Sequence, residues 1–134
     1  MSCPVGSDVQ KVLVVDDEMS ICTFVANVLQ DHGYATVTTS DPRSALDLAR
    51  REHPSLIVAD ISMPDMDGYA LIGELQRDAE TCSCPVLFIT GRIGFSERMK
   101  AFRCGARDFL AKPFAAETLL AKVARVLEEV RVAH

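Results

Sequence analysis

Residues 56–60 read LIVAD, four consecutive apolar side chains followed by one carboxylate. Two other stretches also have four consecutive apolar residues followed by a polar side chain: residues 11–17 read KVLVVDD and residues 86–90 read VLFIT. A strand with one solvated face alternates apolar and polar residues, whereas a continuous apolar run is typical of a strand buried on both faces. The three runs therefore predict central strands of a parallel sheet that is covered by helices on both sides.

Helical patterns fill the intervals between these runs. Apolar residues within 21–29 recur at the spacing of one helix face, and Gly33 follows at the position of a C-terminal cap. Asp41 and Pro42 are a typical N-cap and first-turn residue, which predicts a helix through about Arg51.

Two weaker strand candidates complete the pattern. Ala35–Thr39 is rich in threonine and suits an edge strand, and Phe109–Leu110 is a brief apolar run. Three more helices are predicted: one after Gly68, one over Ser96–Arg103 that ends at Gly105, and one over about Ala115–Val132. Five strand–helix alternations joined by right-handed crossovers predict one doubly wound α/β domain over residues 9–134, after an N-terminal tail of residues 1–8.

Charge and composition narrow the class of partner. Fourteen basic and nineteen acidic side chains give a net charge of −5, which argues against direct binding of nucleic acid or an anionic membrane. No apolar run approaches the roughly 18 residues of a membrane span, and the N-terminus has no signal-peptide pattern, so we expect a cytoplasmic protein. Five cysteines, an odd number, do not predict a disulfide framework.

The polar residues that follow the apolar runs indicate a site. In open parallel sheets, ligands bind beyond the carboxyl ends of the strands. Asp16, Asp17, Asp60, Thr90 and Lys112 all stand there, on four different strands. Each has an ordinary structural explanation as a cap, turn former, strand end or surface charge, but their convergence favours a site. Crowded carboxylates call for a hard cation such as Mg²⁺, and a site of this kind suits a phosphoryl group with a carboxylate as its acceptor.

Four motifs carry this set: VDDE at 15–18, ADISMPDMDG at 59–68, ITG at 89–91 and DFLAKPF at 108–114. Together they closely resemble the receiver domain of two-component response regulators, over about Val9 to Val130. The resemblance implies a flavodoxin-like fold with strand order 2-1-3-4-5. It also implies Mg²⁺-dependent phosphorylation of Asp60 by a phosphohistidine donor, either a sensor histidine kinase or a histidine phosphotransfer protein.

The resemblance further implies one site for Mg²⁺ or Mn²⁺ with four contributors: Asp16 (largely through water), Asp17, Asp60 and the backbone carbonyl of Ser62. Thr90 and Lys112 would hold the phosphoryl oxygens, and the Lys112–Pro113 peptide would be cis. Ser62 and Arg92 occupy the positions that tune hydrolysis in this family. The domain would be a signalling phosphoacceptor that catalyses only its own phosphorylation and dephosphorylation, and not an enzyme acting on other substrates.

A switch follows from the same residues. A phosphoryl group on Asp60 would add negative charge and three acceptors. Thr90 would move toward those oxygens, and Phe109 could turn into the space behind it. This would bias the surface formed by the predicted fourth helix, the fifth strand and the last helix, and so control a protein partner or an output domain absent from this chain.

Three alternatives fit less well. A phosphatase of the haloacid dehalogenase type needs Asp-x-Asp after its first strand, where this chain has Asp16-Asp17. A flavin-binding electron carrier would want a hydroxyl- and glycine-rich loop there, and the acidic residues would repel its phosphate. A phosphorylation-independent receiver usually lacks part of the acidic set, which is complete here.

Overall fold

The computed structural model describes residues 9–61, 63, 68–91, 99–100 and 102–133. Five strands form one parallel sheet in the order β2-β1-β3-β4-β5: β1 (Lys11–Val15), β2 (Ala35–Thr39), β3 (Leu56–Asp60), β4 (Val86–Thr90) and β5 (Asp108–Ala111). Within the described residues, four α-helices have both ends defined: α1 (Met19–Asp31), α2 (Ala45–Glu52), α3 (Gly68–Arg77) and α4 (Ala116–Ala133). The doubly wound α/β fold and its strand order are confirmed.

The continuous apolar runs bury both faces of the sheet. Successive side chains of a strand point to opposite faces, so Leu13 packs with the cluster under α2 and α3, whereas Val12 packs with the cluster under α1 and α4. Every residue of β3 and β4 is buried. β2 is an edge strand with partly exposed residues, as its threonines predict. None of the helices in the described ranges is long and apolar enough to span a bilayer.

The end of α1 shows how closely local sequence specifies this fold. Gly33 has a φ of 91°, in the left-handed region, and its amide donates to the carbonyl of Gln30 at 3.2 Å. The amide of Tyr34 donates to the carbonyl of Leu29 at 3.1 Å. These two bonds are the Schellman motif that satisfies the last carbonyls of a helix, so the role predicted for Gly33 is confirmed.

The start of the second helical segment differs from the prediction. Asp41 is the N-cap, and its carboxylate accepts from the amide of Arg43 at 3.0 Å, but Pro42–Ser44 form a 3₁₀ turn before α2 begins at Ala45. The amide and the hydroxyl of Ser44 both donate to the carbonyl of Asp41, at 3.1 and 2.9 Å. This double i to i+3 closure favours the tighter turn.

The helix predicted over Ser96–Arg103 is described in part. Residues 99, 100, 102 and 103 are helical, and the expected start at Ser96 lies outside the described residues. Gly105 has a φ of 102° and ends the segment, as predicted. The side chain of Gln76 on α3 donates to the carbonyl of Cys104 at 3.0 Å and so ties this helix end to its neighbour.

Two glycines of α3 should respond oppositely to the same substitution. A Cβ on Gly68 would lie 2.8 Å from Phe88 Cε1 and 2.9 Å from the carbonyl oxygen of Asp60, whereas a Cβ on Gly73 would meet nothing closer than Arg77 Nη1 at 3.6 Å. We expect Gly68→Ala to lower the free energy of unfolding by about 1–3 kcal/mol through overpacking. We expect Gly73→Ala to raise it by about 0.5–1 kcal/mol through helix propensity. Urea denaturation measures both changes, and equal effects would contradict the packing described for Gly68.

Candidate functional site

The predicted site residues meet at one edge of the sheet. Asp16 and Asp17 directly follow β1, Asp60 is the last residue of β3, and Thr90 is the last residue of β4. The parallel register sets Asp60 opposite Ile89, so β3 and β4 end within one residue of each other. One oxygen from each of Asp16, Asp17 and Asp60 lies within 4.8 Å of the other two.

Asp60 is the buried acid at the centre of this edge. Its residue exposure is 5%. Beyond it, the amide of Ile61 donates to the carbonyl of Ile89 at 3.1 Å, and the amide of Gly68 donates back to the carbonyl of Ile61 at 2.7 Å. These bonds fix the backbone on both sides of the loop that follows β3, so the carboxylate is held at the strand end.

Lys112 supplies the positive charge. Its amide donates to the carbonyl of Thr90 at 2.8 Å, which extends the pairing of β4 and β5 to the lysine. Its Nζ lies 3.1 Å from Asp60 Oδ2, 3.1 Å from Glu18 Oε1 and 3.4 Å from Asp16 Oδ2. Burial acts to lower the pKa of Lys112, but the hydrogen bonds to Asp60 and Glu18 outweigh it and hold that pKa above its ordinary value. The Lys112–Pro113 peptide is cis, as the resemblance implies.

The environment of the Asp16 carboxylate indicates whether a cation fits this site. Its exposure is 0%, and its Oδ1 accepts from the amide of Glu18 at 2.9 Å. Its Oδ2 is buried and has no hydrogen-bond partner in the described part of the chain. Burial raises the pKa of Asp16 to about 6, and repulsion from Asp60 also raises it, against the opposing effects of the Glu18 amide and Lys112. A buried carboxylate oxygen that accepts no hydrogen bond, beside two more carboxylates, suits Mg²⁺, which prefers oxygen ligands.

Two further residues shape the loop after β1. The buried thiol of Cys22 donates to the carbonyl of Asp16 at 3.3 Å, and the amide of Asp16 donates to the carbonyl of Thr39 at 3.2 Å. The sequence analysis assigns no site role to Cys22 or to Glu18. The signal for Glu18 was its position after the Asp pair at the N-cap of α1, at the same edge of the sheet.

The residues of the predicted switch lie on β4 and β5. Thr90 is 4% exposed at the end of β4. The ring of Phe109 is partly buried; its centroid lies 5.6 Å from that of Phe102, edge to face, and 5.6 Å from Lys122 Nζ. Ser62 and Arg92, the predicted tuning positions, lie outside the described residues, as does the carbonyl predicted as a metal ligand.

A cluster of ion pairs holds the start of β5 in place. The sequence analysis did not predict it. Asp108 is 6% exposed and accepts from the amide of Phe109 at 2.8 Å. Its carboxylate also binds Lys122, at 3.3 Å, and Arg125. Burial acts to raise the pKa of Asp108, but these donors together outweigh it and lower the pKa. The cluster thus joins β5 to α4 directly beside the ring of Phe109.

Comparison with known proteins agrees with this geometry. A family model described as "Response regulator receiver domain" matches residues 12–124. The chemotaxis protein CheY4 of Vibrio cholerae is 35% identical, with a TM-score of 0.84 over 88% of this chain and 98% of that chain. Protein PilH of Pseudomonas aeruginosa is 33% identical over 117 residues, which are 87% of this chain and 97% of PilH.

Other relatives are longer. The response regulator MprA of Mycolicibacterium vanbaalenii is 36% identical over 117 residues, 87% of this chain and 50% of that protein. The probable transcriptional regulator ycf27 of Porphyridium aerugineum is 36% identical over 121 residues, 90% of this chain and 49% of that protein. The chain spans about half the length of these curated relatives. It belongs to the response regulator receiver domain family of two-component signalling.

Proposed function

We propose that this receiver domain accepts a phosphoryl group onto Asp60 from a phosphohistidine, in a reaction that requires Mg²⁺ or Mn²⁺. The observation that carries the proposal is the contact of 3.1 Å between Asp60 Oδ2 and Lys112 Nζ, inside a cluster of three carboxylates. Asp16 is a weaker candidate acceptor because it is fully buried and its Oδ1 is held by the Glu18 amide. Asp17 is exposed, and no ion pair to Lys112 is found for it among the described residues.

The proposed step is a direct displacement at phosphorus. A carboxylate oxygen of Asp60 forms a bond to phosphorus as the bond from phosphorus to the imidazole nitrogen breaks, and the bond's electron pair stays on the imidazole. Lys112 neutralises charge on the transferred oxygens, and Thr90 offers its hydroxyl as a donor. A divalent ion held by Asp16, Asp17, Asp60 and the Ser62 carbonyl would supply further positive charge to those oxygens.

The remaining roles complete the proposal. The only reactions catalysed are the domain's own phosphorylation and dephosphorylation, with Ser62 and Arg92 tuning hydrolysis. The donor is a sensor histidine kinase or a histidine phosphotransfer protein, and the cytoplasm is the proposed location. Residues 9–134 act as the receiver domain and residues 1–8 as its N-terminal tail.

The signal would be read through Phe109. Phosphoryl oxygens attract the hydroxyl of Thr90. Leu87–Thr90 of β4 pair with Asp108–Ala111 of β5, so a movement of Thr90 reaches the neighbouring strand directly. The ring of Phe109 lies beside that of Phe102 and beside Lys122 Nζ of α4. A change in its ring position would therefore alter the surface formed by the helix predicted over Ser96–Arg103, by β5 and by α4. A protein partner or a linked output domain would read that surface.

Removing the acceptor should abolish phosphorylation. We expect wild-type protein incubated with acetyl phosphate and Mg²⁺ to gain one phosphoryl group by intact-protein mass spectrometry, and Asp60→Asn to gain none. Asp41→Asn is the matched control, because Asp41 follows β2 at the same edge of the sheet but is not part of the acidic cluster. A persistent adduct on Asp60→Asn would contradict the assignment.

Removing the metal or one of its ligands should have a related effect. We expect chelator to stop phosphorylation of the wild type, since three carboxylates and a phosphoryl group need a cation between them. Asp17→Asn should weaken Mg²⁺ binding at least tenfold in a titration followed by amide NMR, with Asp41→Asn again unchanged. Wild-type Mg²⁺ affinity in Asp17→Asn would mean that Asp17 only supports the start of α1.

The output surface can be located with beryllofluoride, a stable phosphoryl mimic. β5 lies beside β4, whereas β2 is separated from β4 by β1 and β3. We therefore expect amide shifts at the loops of the site and across about Gly91–Ala116, with Ala35–Arg51 nearly unchanged. Equal or larger shifts in Ala35–Arg51 would overturn the proposed surface even if Asp60 is the acceptor.

A further inference from the structure

Glu18 contributes a third carboxylate to the ammonium of Lys112. An ammonium has three N–H donors, and here Nζ contacts Asp60 and Glu18 at 3.1 Å each and Asp16 at 3.4 Å. Nζ thus has three carboxylate oxygens within 3.4 Å, two of which accept its hydrogen bonds. A phosphoryl oxygen that arrives at Lys112 therefore competes with these carboxylates for the ammonium.

The three carboxylates are not equally free to leave. The side chains of Asp16 and Asp60 are 0% and 7% exposed, whereas that of Glu18 is 58% exposed. Asp16 is also held by the Glu18 amide. A carboxylate that moves away from Lys112 must be solvated elsewhere, which costs least for the exposed one. Glu18 is therefore the partner that an incoming phosphoryl oxygen would displace.

The side chain of Glu18 does not cap the helix that it precedes. It stands at the N-cap of α1, yet its carboxylate makes no capping hydrogen bond. Within the described part of the chain, this carboxylate accepts a hydrogen bond from Lys112, 94 residues away. The contact with Lys112 thus accounts for its position better than helix capping does.

We propose that Glu18 is a positioning residue that competes with the phosphoryl group for Lys112. This competition rests on the proposed function of Asp60. In the unphosphorylated state, the contact with Glu18 helps to hold the ammonium beside the acceptor. The same contact opposes phosphoryl binding until Glu18 turns away. Glu18 takes no part in bond formation. Its negative charge also repels the anionic donor as it approaches the edge of the sheet.

The size of the effect follows from exposure. A salt bridge with one partner largely in solvent contributes little, because water and salt screen it. Its removal should therefore strengthen binding of a phosphoryl mimic about two- to fivefold, not by orders of magnitude.

The experiment measures the equilibrium affinity for beryllofluoride at saturating Mg²⁺, by amide NMR, in low salt and in 1 M salt. Glu18→Gln and Glu18→Ala remove the charge, and Glu18→Ala also removes the hydrogen bond. Asp31→Asn is the matched control: it removes one negative charge at the opposite end of the same helix, about 20 Å away by helix geometry. Circular dichroism checks that all variants are folded.

We expect both Glu18 variants to bind beryllofluoride about two- to fivefold more tightly than wild type in low salt. We expect Asp31→Asn to change by less than twofold. In 1 M salt the advantage of Glu18→Gln should largely disappear, because the Debye length falls to about 3 Å. A merely structural role for Glu18 would not produce this salt dependence.

Unchanged or weaker binding in both Glu18 variants overturns the competition, as does an equal gain in Asp31→Asn. These outcomes are distinct from failure of the proposed function. If wild-type protein takes up neither beryllofluoride nor a phosphoryl group, the role of Asp60 fails; if it takes up both and the Glu18 variants behave like wild type, only the role of Glu18 fails.

Discussion

The ion pair between Lys112 and the acidic edge of the sheet is the interaction on which this structure depends. Buried carboxylates are costly unless they are paired, and the rise in the pKa of Asp16 to about 6 reflects that cost. One ammonium lies within 3.4 Å of Asp16, Glu18 and Asp60. The cluster nevertheless keeps a buried oxygen of Asp16 without a hydrogen bond among the described residues. The site is thus arranged to accept more positive charge, and an anion that arrives with it.

The sheet supplies the geometry that this pairing needs. Lys112 reaches the acids because the pairing of β4 and β5 continues to its own amide. Asp60 stays at the edge because the chain beyond it is bonded to β4 and then returns at Gly68, where the backbone approaches too closely for a side chain. The loop after β1 is held by the thiol of Cys22. Backbone hydrogen bonds and close packing next to the acids therefore fix their separation.

Much of this was predictable from the sequence, for identifiable reasons. Runs such as LIVAD indicate strands buried on both faces, and parallel strands end at a common edge, so the sequence alone places Asp60 and Lys112 together. Gly33 was predictable because only a left-handed residue closes that helix end. In each case a short local pattern has one physical solution.

The rest depended on contacts that local patterns do not encode. Glu18 has a flexible side chain, and its partner Lys112 lies 94 residues away, so only the folded sheet reveals their pairing. Asp108 was part of a recognised motif, but its bonds to Lys122 and Arg125 require the packing of α4 against β5. The 3₁₀ turn after Asp41 depends on the hydrogen bond that the hydroxyl of Ser44 donates to the carbonyl of Asp41.

The central claim is that Asp60, held against Lys112, is the acceptor. Borohydride converts an aspartyl phosphate to homoserine, which peptide mass spectrometry locates to a single residue. After incubation with a phosphodonor and Mg²⁺, the account predicts homoserine at position 60 and at no other position, and none when the metal is chelated. Homoserine at Asp16 or Asp17, or at position 60 to the same extent in chelator, would contradict it.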